Sequence, residues 1–524
     1  MAATAVIFKT PKLFAGYKKF PFQFTAGADT KDASFEITAK GTGSFNIGTV
    51  SLMPADNVKG FRADILALLK EMNMGIIRWG GNASSGYDWR NGVGDKDKRP
   101  PAYDYAWNAM ESNDVGTDEY ITLCKLLNVE PFIGVNAGLG DAHSAAQWLE
   151  YVNGAATTAM GKWRVSHGHT QPYHVKWWGI GNEMYGEWQL GHMSIHDYAI
   201  KHKLFAEAMR KVDSSIILVA SGASPYETGS TSVYNKYPAS FKTPYAYGSD
   251  KDWSGNLLAN DADDMTYIAE HLYPVGDSAY DVNLQQFVYA NDSLIDRIRR
   301  LPNRIKGVAE AYDEYVKRMP YIQAKNITVA LDEWRLKDGW GLADALSTSE
   351  AFQEIYRHTD IFKMTAYTST TAPSCLLYDG THAAIQPMGL VLKLFSDHYG
   401  SIPVAVTGNS PQHEVKGTAG VDKPFVSSGS ATYPLDVSAS LSADKKKLII
   451  AAVNPTYRAQ ELQLNAVNAI GIPSRHWIIA GSNPKDYNPL GEAPHIKIIE
   501  DAVDLKDNIL SIQPLSVNLY EFLL

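Results

Sequence analysis

The stretch Lys176-Trp-Trp-Gly-Ile-Gly-Asn-Glu-Met-Tyr-Gly-Glu-Trp-Gln-Leu-Gly191 is apolar through Ile180 and then turns, at Asn182 and Glu183, to groups that hydrogen-bond and ionise. Val175 to Ile180 is short and rich in β-branched and aromatic side chains, so it reads as a strand with a carboxylate just past its C-terminal end. The pattern recurs in Ile327-Thr-Val-Ala-Leu-Asp-Glu-Trp334, where Asp332 and Glu333 close an apolar run. Working outward, further strands are expected at Gly75 to Trp79, Glu130 to Asn136, Ile216 to Ala220, Met265 to His271 and Phe362 to Thr368. Segments of helical period separate them, as in Phe61 to Lys70, Ala142 to Tyr151, Val308 to Tyr321 and Ala343 to His358. Repeated strand-then-helix units imply parallel strands with helices outside, and their number fits a (β/α)8 TIM-type barrel over residues 51–395. A doubly wound sheet is the alternative.

After about residue 395 the texture changes to short alternating runs such as Leu448 to Asn454, Ala459 to Leu464 and Leu515 to Phe522, separated by turn residues. Residues 396–524 are therefore expected to form a C-terminal antiparallel β-sandwich, jelly-roll-like in character. Residues 1–50 share that texture, notably at Ala33 to Thr38, and read as strands of the sandwich or the remnant of an inserted β-module. Lys445-Lys-Lys447 reads as a hairpin tip.

A chain of 524 residues, 45% hydrophobic and 20% charged, can bury one large core and a smaller one. Its net charge of -9 argues against nucleic acid or an anionic membrane surface as partner, since both call for clustered Lys and Arg. Two cysteines, Cys124 and Cys375, supply neither a disulfide framework nor a zinc ligand set. The first residues lack the uninterrupted apolar segment of a secretory signal, which predicts a cytoplasmic chain or a processed secreted one.

In a parallel barrel the reacting groups stand at the C-terminal strand ends, so Glu183 and Glu333 would face one mouth. Two carboxylates there, flanked by Trp, Asn and Tyr suited to sugars, are what glycosidic bond cleavage requires. Either glutamate alone reads better as a solvated strand end; the pair at one place in the repeat favours catalysis.

These residues carry a resemblance. In VSLMPADN, GFRADILALLKEMN, IIRWGGNASSGYDWRNGVG, AWNAMESNDVGTDEY, WWGIGNEMYGEWQLGHM, YIAEHLY, LDEW and PLSVNLYEF the sequence resembles family 51 of the glycoside hydrolases, the α-L-arabinofuranosidases. The resemblance implies a retaining, exo-acting enzyme that removes terminal α-L-arabinofuranosyl residues from hemicellulose or pectin-type arabinosides. Glu183 would be the acid and base and Glu333 the nucleophile. It also implies that Arg78 keeps Glu333 ionised and that Asn82 and Asn182 hydrogen-bond ring hydroxyls. His271 and Tyr273 would line the floor, Trp107 and Trp188 would contact sugar, and Gln386 would reach it from the loop after the last strand. Homo-oligomers, trimers or hexamers, are usual for the family, and a furanoside-containing saccharide is the expected partner. The chemistry calls for no metal or other cofactor.

Galactofuranosides and β-1,4-glucan or xylan chains are alternative substrates within the family, and a non-catalytic carbohydrate-binding barrel is the alternative of another class. Phe132 to Ser144, with Gly138 and Gly140, has the look of a dinucleotide-binding turn, but no strand ending in an acid follows at the required distance. His167, His169 and His174 lack a carboxylate or Cys at ligand spacing. The sequence departs from the family at Arg78-Trp-Gly-Gly-Asn82, one residue shorter and without proline, and in lacking its Phe-x-Glu-His-like first strand. Phe45 to Met53 is the nearest apolar run that could take the eighth barrel place.

Overall fold

A computed structural model describes residues 16–28, 34–38, 42–223, 248–274, 278–281, 286–289, 293–336, 341–369, 374–411, 430–465 and 470–524. The seven strands expected from the apolar runs all form: β1 (Ile76–Trp79), β2 (Glu130–Val135), β3 (Trp177–Ile180), β4 (Ile217–Ser221), β5 (Tyr267–Leu272), β6 (Thr328–Trp334) and β7 (Phe362–Tyr367). They pair in that order in one sheet, every pairing parallel. Helices preceding or following the strands include α1 (Ala63–Glu71), α2 (Thr117–Leu127), α3 (Ala142–Asn153), α4 (Ala159–Ser166), α5 (Ile195–Val212), α6 (Trp253–Asp261), α7 (Leu294–Arg318), α8 (Leu342–Arg357) and α9 (Pro387–His398). Five of them start on side-chain caps, with Asp141, Thr158, Ser194, Asp252 and Ser293 each accepting from the N–H three residues on.

Strand alternation sorts the core into two layers. Phe132, Val219, Ala269, Ala330 and Met364 face inward and fill the barrel. Their neighbours Ile133, Leu218, Ile268, Val329 and Leu331 face outward and pack under the helices. This filled interior makes the strand ends a rigid floor for whatever stands above them.

The architecture is that of a (β/α)8 barrel in which seven strands are described. Among the described residues none pairs with the outer edge of β1 or of β7. Those two edges approach within 8 Å between Cα atoms, less than the roughly 9.5 Å that an intervening strand would require at ~4.8 Å per neighbour. The run Phe45 to Met53 therefore does not take the eighth place. It is exposed and unpaired, with Phe45, Ile47, Val50, Leu52 and Met53 all open to solvent. The described part of Ala33 to Thr38 likewise contains no strand, and Ala33 itself lies outside the described residues. β-type alternation in these segments finds no partner edge, and a lone strand leaves its backbone groups unpaired.

The C-terminal region forms antiparallel sheets. β8 (Ile402–Val404), β9 (Asp436–Leu441), β10 (Lys447–Asn454), β11 (Gln460–Gln463), β12 (Ile472–Ala480), β13 (Ile499–Ala502), β14 (Ile509–Ile512) and β15 (Ser516–Leu523) follow one another along the chain. Six of them pair in the order β8-β9-β10-β15-β12-β13, and β11 pairs with β14. Leu441 opposes Leu448, so the basic run does sit at a hairpin tip. Alternation along β10 settles both faces: Ile450 and Ala452 pack against Leu510 and Ile512 of the smaller sheet, while Ile449, Ala451 and Val453 join the core shared with the barrel helices. The sandwich thus shares a core with the barrel, and His398 of α9 stacks on Trp477 of β12 at 3.9 Å.

Candidate active site

Arg78, Asn182, Glu183, His271, Tyr273, Asp332 and Glu333, far apart in the chain, meet at the C-terminal ends of β1, β3, β5 and β6. Local backbone features aim them. Gly181 has φ +80°, and a Cβ there would stand 2.8 Å from Met184 Cγ and 3.1 Å from Ala137 Cβ. Only glycine fits this turn. Glu183 itself adopts φ +46°, the left-handed region that side chains rarely occupy. Such a conformation costs on the order of 1–3 kcal/mol and is stored where a side chain must point somewhere specific. On β6 the ladder slips between Ala330 and Glu333 on one side and between Leu331 and Trp334 on the other. In a regular strand adjacent residues face opposite ways. The irregularity brings Asp332 and Glu333 onto the same cluster, as bulges beside functional sites do.

Arg78 ties three groups together. Its Nη1 donates to Glu333 Oε2 at 2.8 Å, its Nη2 to Asn182 Oδ1 at 2.6 Å, and its Nε lies 2.9 Å from Asp332 Oδ2. The hydroxyl of Tyr273 donates to the other Glu333 oxygen at 2.5 Å and also reaches Thr368 Oγ1 at 2.9 Å. Glu183 is held by His271 Nδ1 on Oε1 at 3.0 Å and by the Trp188 indole N–H on Oε2 at 2.6 Å. His271 Nε2 faces Asp332 Oδ1 at 3.1 Å. Asn182 Nδ2 donates to Asn82 Oδ1 and to Gln189 Oε1, and Gln189 Nε2 donates to the Asn82 carbonyl.

The electrostatics follow from this packing. Burial opposes charge on His271, yet the Glu333 and Asp332 carboxylates outweigh it and lift the imidazole well above its ordinary value. Burial would raise Glu183, but the hydrogen bond and charge of His271, with the Trp188 N–H, hold it below the usual carboxylate range. Asp332 is likewise held low against burial, chiefly by Arg78 and then by His271. Burial and the Glu333 charge push the Tyr273 hydroxyl well above its ordinary value, so it stays a donor.

Ligand atoms of Glu183, His271 and Glu333 all lie within 4.8 Å of one another, a spacing that a cation could bridge. The donor set does not suit one. All four carboxylate oxygens already accept from His271, Trp188, Tyr273 and Arg78, and the guanidinium contacts the cluster directly. The loop histidines are engaged elsewhere, His167 with the Tyr151 hydroxyl and His169 near Asp118.

Two residues expected at the sugar are not drawn into the cluster. Gln386 is fully buried, and both ends of its amide bond the backbone of Asn488. It fastens the start of α9 to the C-terminal region. Trp107 stands at the turn of the 102–111 hairpin, 66% exposed. Asn82 and Trp188 do join the cluster, as partners of Asn182 and Glu183. Asp332, Thr368 and Gln189 were assigned no role from sequence. Strand alternation points Asp332 away from Glu333, and only the slipped ladder corrects that.

Three comparisons bear on this site. Residues 68–257 match the family model described as the alpha-L-arabinofuranosidase 1 domain. The chain is 41% identical over 170 residues to a probable alpha-L-arabinofuranosidase C of Aspergillus fumigatus, covering 32% of this chain and 34% of that protein. It is 36% identical over 284 residues to the intracellular exo-alpha-(1->5)-L-arabinofuranosidase 1 of Bacillus subtilis, covering 54% and 51% respectively. The matches thus span about a third to a half of the length of these curated relatives. Over 90% of this chain and 92% of the other, the fold superposes with TM-score 0.73 and 27% identity on the GH51 alpha-L-arabinofuranosidase of Thermotoga petrophila. The chain is thus similar to alpha-L-arabinofuranosidases, and over nearly its whole length to one of family 51 of the glycoside hydrolases. In a parallel barrel, the strand ends where Glu183 and Glu333 meet are where reacting groups stand.

Proposed function

We propose that this protein is a family 51 member, a retaining, exo-acting hydrolase that releases terminal α-L-arabinofuranosyl residues, with Glu333 as nucleophile and Glu183 as acid and then base. The observation that carries this reading is the spacing and unequal surroundings of the two carboxylates. Oxygens of the two glutamates lie within 4.8 Å of each other, in keeping with the ~5–5.5 Å separation of the carboxyl groups in retaining enzymes. Glu333 accepts from Arg78 Nη1 and from the Tyr273 hydroxyl. Glu183 faces His271, a group able to exchange a proton.

In the first step a Glu333 oxygen bonds the anomeric carbon as the glycosidic bond breaks and Glu183 protonates the departing oxygen. In the second, Glu183 takes a proton from water as the water oxygen displaces Glu333. Asn182, fixed by Arg78, Asn82 and Gln189, is positioned to hydrogen-bond a sugar hydroxyl. The names of the Aspergillus and Bacillus relatives support arabinofuranose as the sugar, and the Bacillus name supports exo action.

The test is a panel of 4-nitrophenyl glycosides with the first-formed product followed by proton NMR. The expected result is preference for the α-L-arabinofuranoside over galactofuranoside and pyranosides, with the α-anomer of arabinose released first. Preference for a pyranoside, or initial release of the β-anomer, would contradict the reading.

A further inference from the structure

The cluster contains one imidazole set between two carboxylates, and the geometry restricts where the acid proton can reside. An indole N–H only donates, so Glu183 Oε2, 2.6 Å from Trp188 Nε1, must accept. A proton on Glu183 can therefore sit only on Oε1, which points at His271 Nδ1 across 3.0 Å. The far nitrogen, Nε2, faces Asp332 Oδ1 at 3.1 Å. Asp332 is itself 4% exposed and anchored by Arg78 Nε. The charge of so close a carboxylate favours a proton on Nε2, which leaves Nδ1 and Glu183 Oε1 sharing a single proton.

We propose that Asp332, His271 and Glu183 form a proton relay in which His271 stores the acid proton, Asp332 being the positioning residue that holds the imidazole. The proposal rests on Glu183 being the acid and base. In the resting site the proton sits on Nδ1. As substrate binds, the Nδ1–H bond breaks and an O–H bond forms at Glu183 Oε1; that proton then passes to the departing oxygen while the glycosidic bond breaks and Glu333 bonds the anomeric carbon. In the second step water gives its proton to Glu183 as its oxygen displaces Glu333, and the proton returns to Nδ1. The cycle consumes no net proton.

Every charged group facing His271 bears on this store. Glu183 approaches from past β3, and Asp332 and Glu333 from β6, with Glu333 Oε2 at 3.6 Å. Arg78 of β1 contacts both β6 acids, and Tyr273, just past β5, contacts Glu333. The two acids of β6 retain the proton on the ring in the free enzyme, and burial of Glu183, His271 and Asp332 shields the exchange from solvent.

The relay makes a specific demand of the Asp332→Asn variant, which keeps the side-chain shape but loses the charge. The alkaline limb of kcat/KM should move to lower pH. Hydrolysis of an arabino-oligosaccharide, whose leaving group needs protonation, should fall at least about tenfold more than that of a 2,4-dinitrophenyl arabinofuranoside, because acid catalysis is worth roughly 100- to 10,000-fold. In a His271→Gln background the same substitution should change either rate by less than about twofold, since residues acting through one another are not additive. Equal losses on both substrates, an unmoved alkaline limb, or full additivity with His271→Gln would overturn the relay. Should Asp332→Asn not fold, as judged by circular dichroism, the leaving-group split of His271→Gln decides in the same sense. A wild type inactive on every glycoside would instead overturn the acid–base reading on which the relay rests, so the two failures are separable.

Discussion

Arg78 Nη1 stands 2.8 Å from Glu333 Oε2, and the same guanidinium reaches Asn182 and Asp332 with its other nitrogens. One planar cation therefore fixes the proposed nucleophile, the Asn182 amide and the Asp332 carboxylate relative to each other. Lysine supplies a single point charge and cannot span three acceptors. Arg78→Lys should lower kcat/KM on 4-nitrophenyl α-L-arabinofuranoside by about 100-fold or more, since breaking a buried ion pair costs roughly 3–5 kcal/mol and about 1.4 kcal/mol is tenfold in rate. Steady-state kinetics check this; a loss under tenfold would show that charge alone suffices.

Trp188 Nε1 on Glu183 Oε2 stabilises the carboxylate over the acid. Burial already opposes the charge there, so removing this donor should raise the Glu183 pKa. The pH profile of kcat/KM for Trp188→Phe should accordingly shift to higher pH relative to wild type. An unmoved or acid-shifted profile would contradict the assignment of Trp188 as a hydrogen-bond partner of the acid.

Those residues show what a sequence can and cannot carry. The seven barrel strands were legible because each is an apolar run bounded by turn residues, and burial on both faces is what such runs encode. Glu183 and Glu333 were legible because each closes such a run. Asp332 was not, since its orientation depends on a slip in the β6 ladder that adjacent residue types do not announce. Gln386 and Trp107 fall outside the carboxylate cluster for a related reason: a family motif fixes position along the chain, while the hydrogen bonds of Gln386 to Asn488 and the exposed turn holding Trp107 are tertiary facts. Phe45 to Met53 alternates like a strand, but alternation creates no edge for it to pair with.

The junction between barrel and sandwich holds a second buried charge cluster with its own pH dependence. Arg299 of α7 lies 3.3 Å from Glu350 of α8 and 3.2 Å from Asp436 at the start of β9, and Arg357 pairs with both Asp436 and Glu354. Burial, with Asp436 and Glu354 nearby, pushes the Glu350 carboxyl up to about 8 despite the two arginines. In the unfolded chain a glutamate titrates near 4.3. A group whose folded pKa is raised contributes stability that is fully present below the unfolded value and is lost as pH rises through the folded one. Wild-type stability should therefore decline between about pH 4.3 and pH 8 through this group. Glu350→Gln, neutral throughout, should match wild type near the acid end and exceed its Tm increasingly up to about pH 8. Differential scanning calorimetry across that range checks it, and a Tm difference independent of pH would contradict the account.

The division of labour between Glu333 and Glu183 is tested most directly by trapping the covalent intermediate. Glu183→Ala keeps the nucleophile but lacks the base for the second step, so an activated 2,4-dinitrophenyl α-L-arabinofuranoside should still react while water attacks slowly. Proteolysis and mass spectrometry of the stalled variant should find one arabinosyl ester, carried by Glu333. An ester on any other residue, or continued turnover with no ester formed, would contradict the assignment.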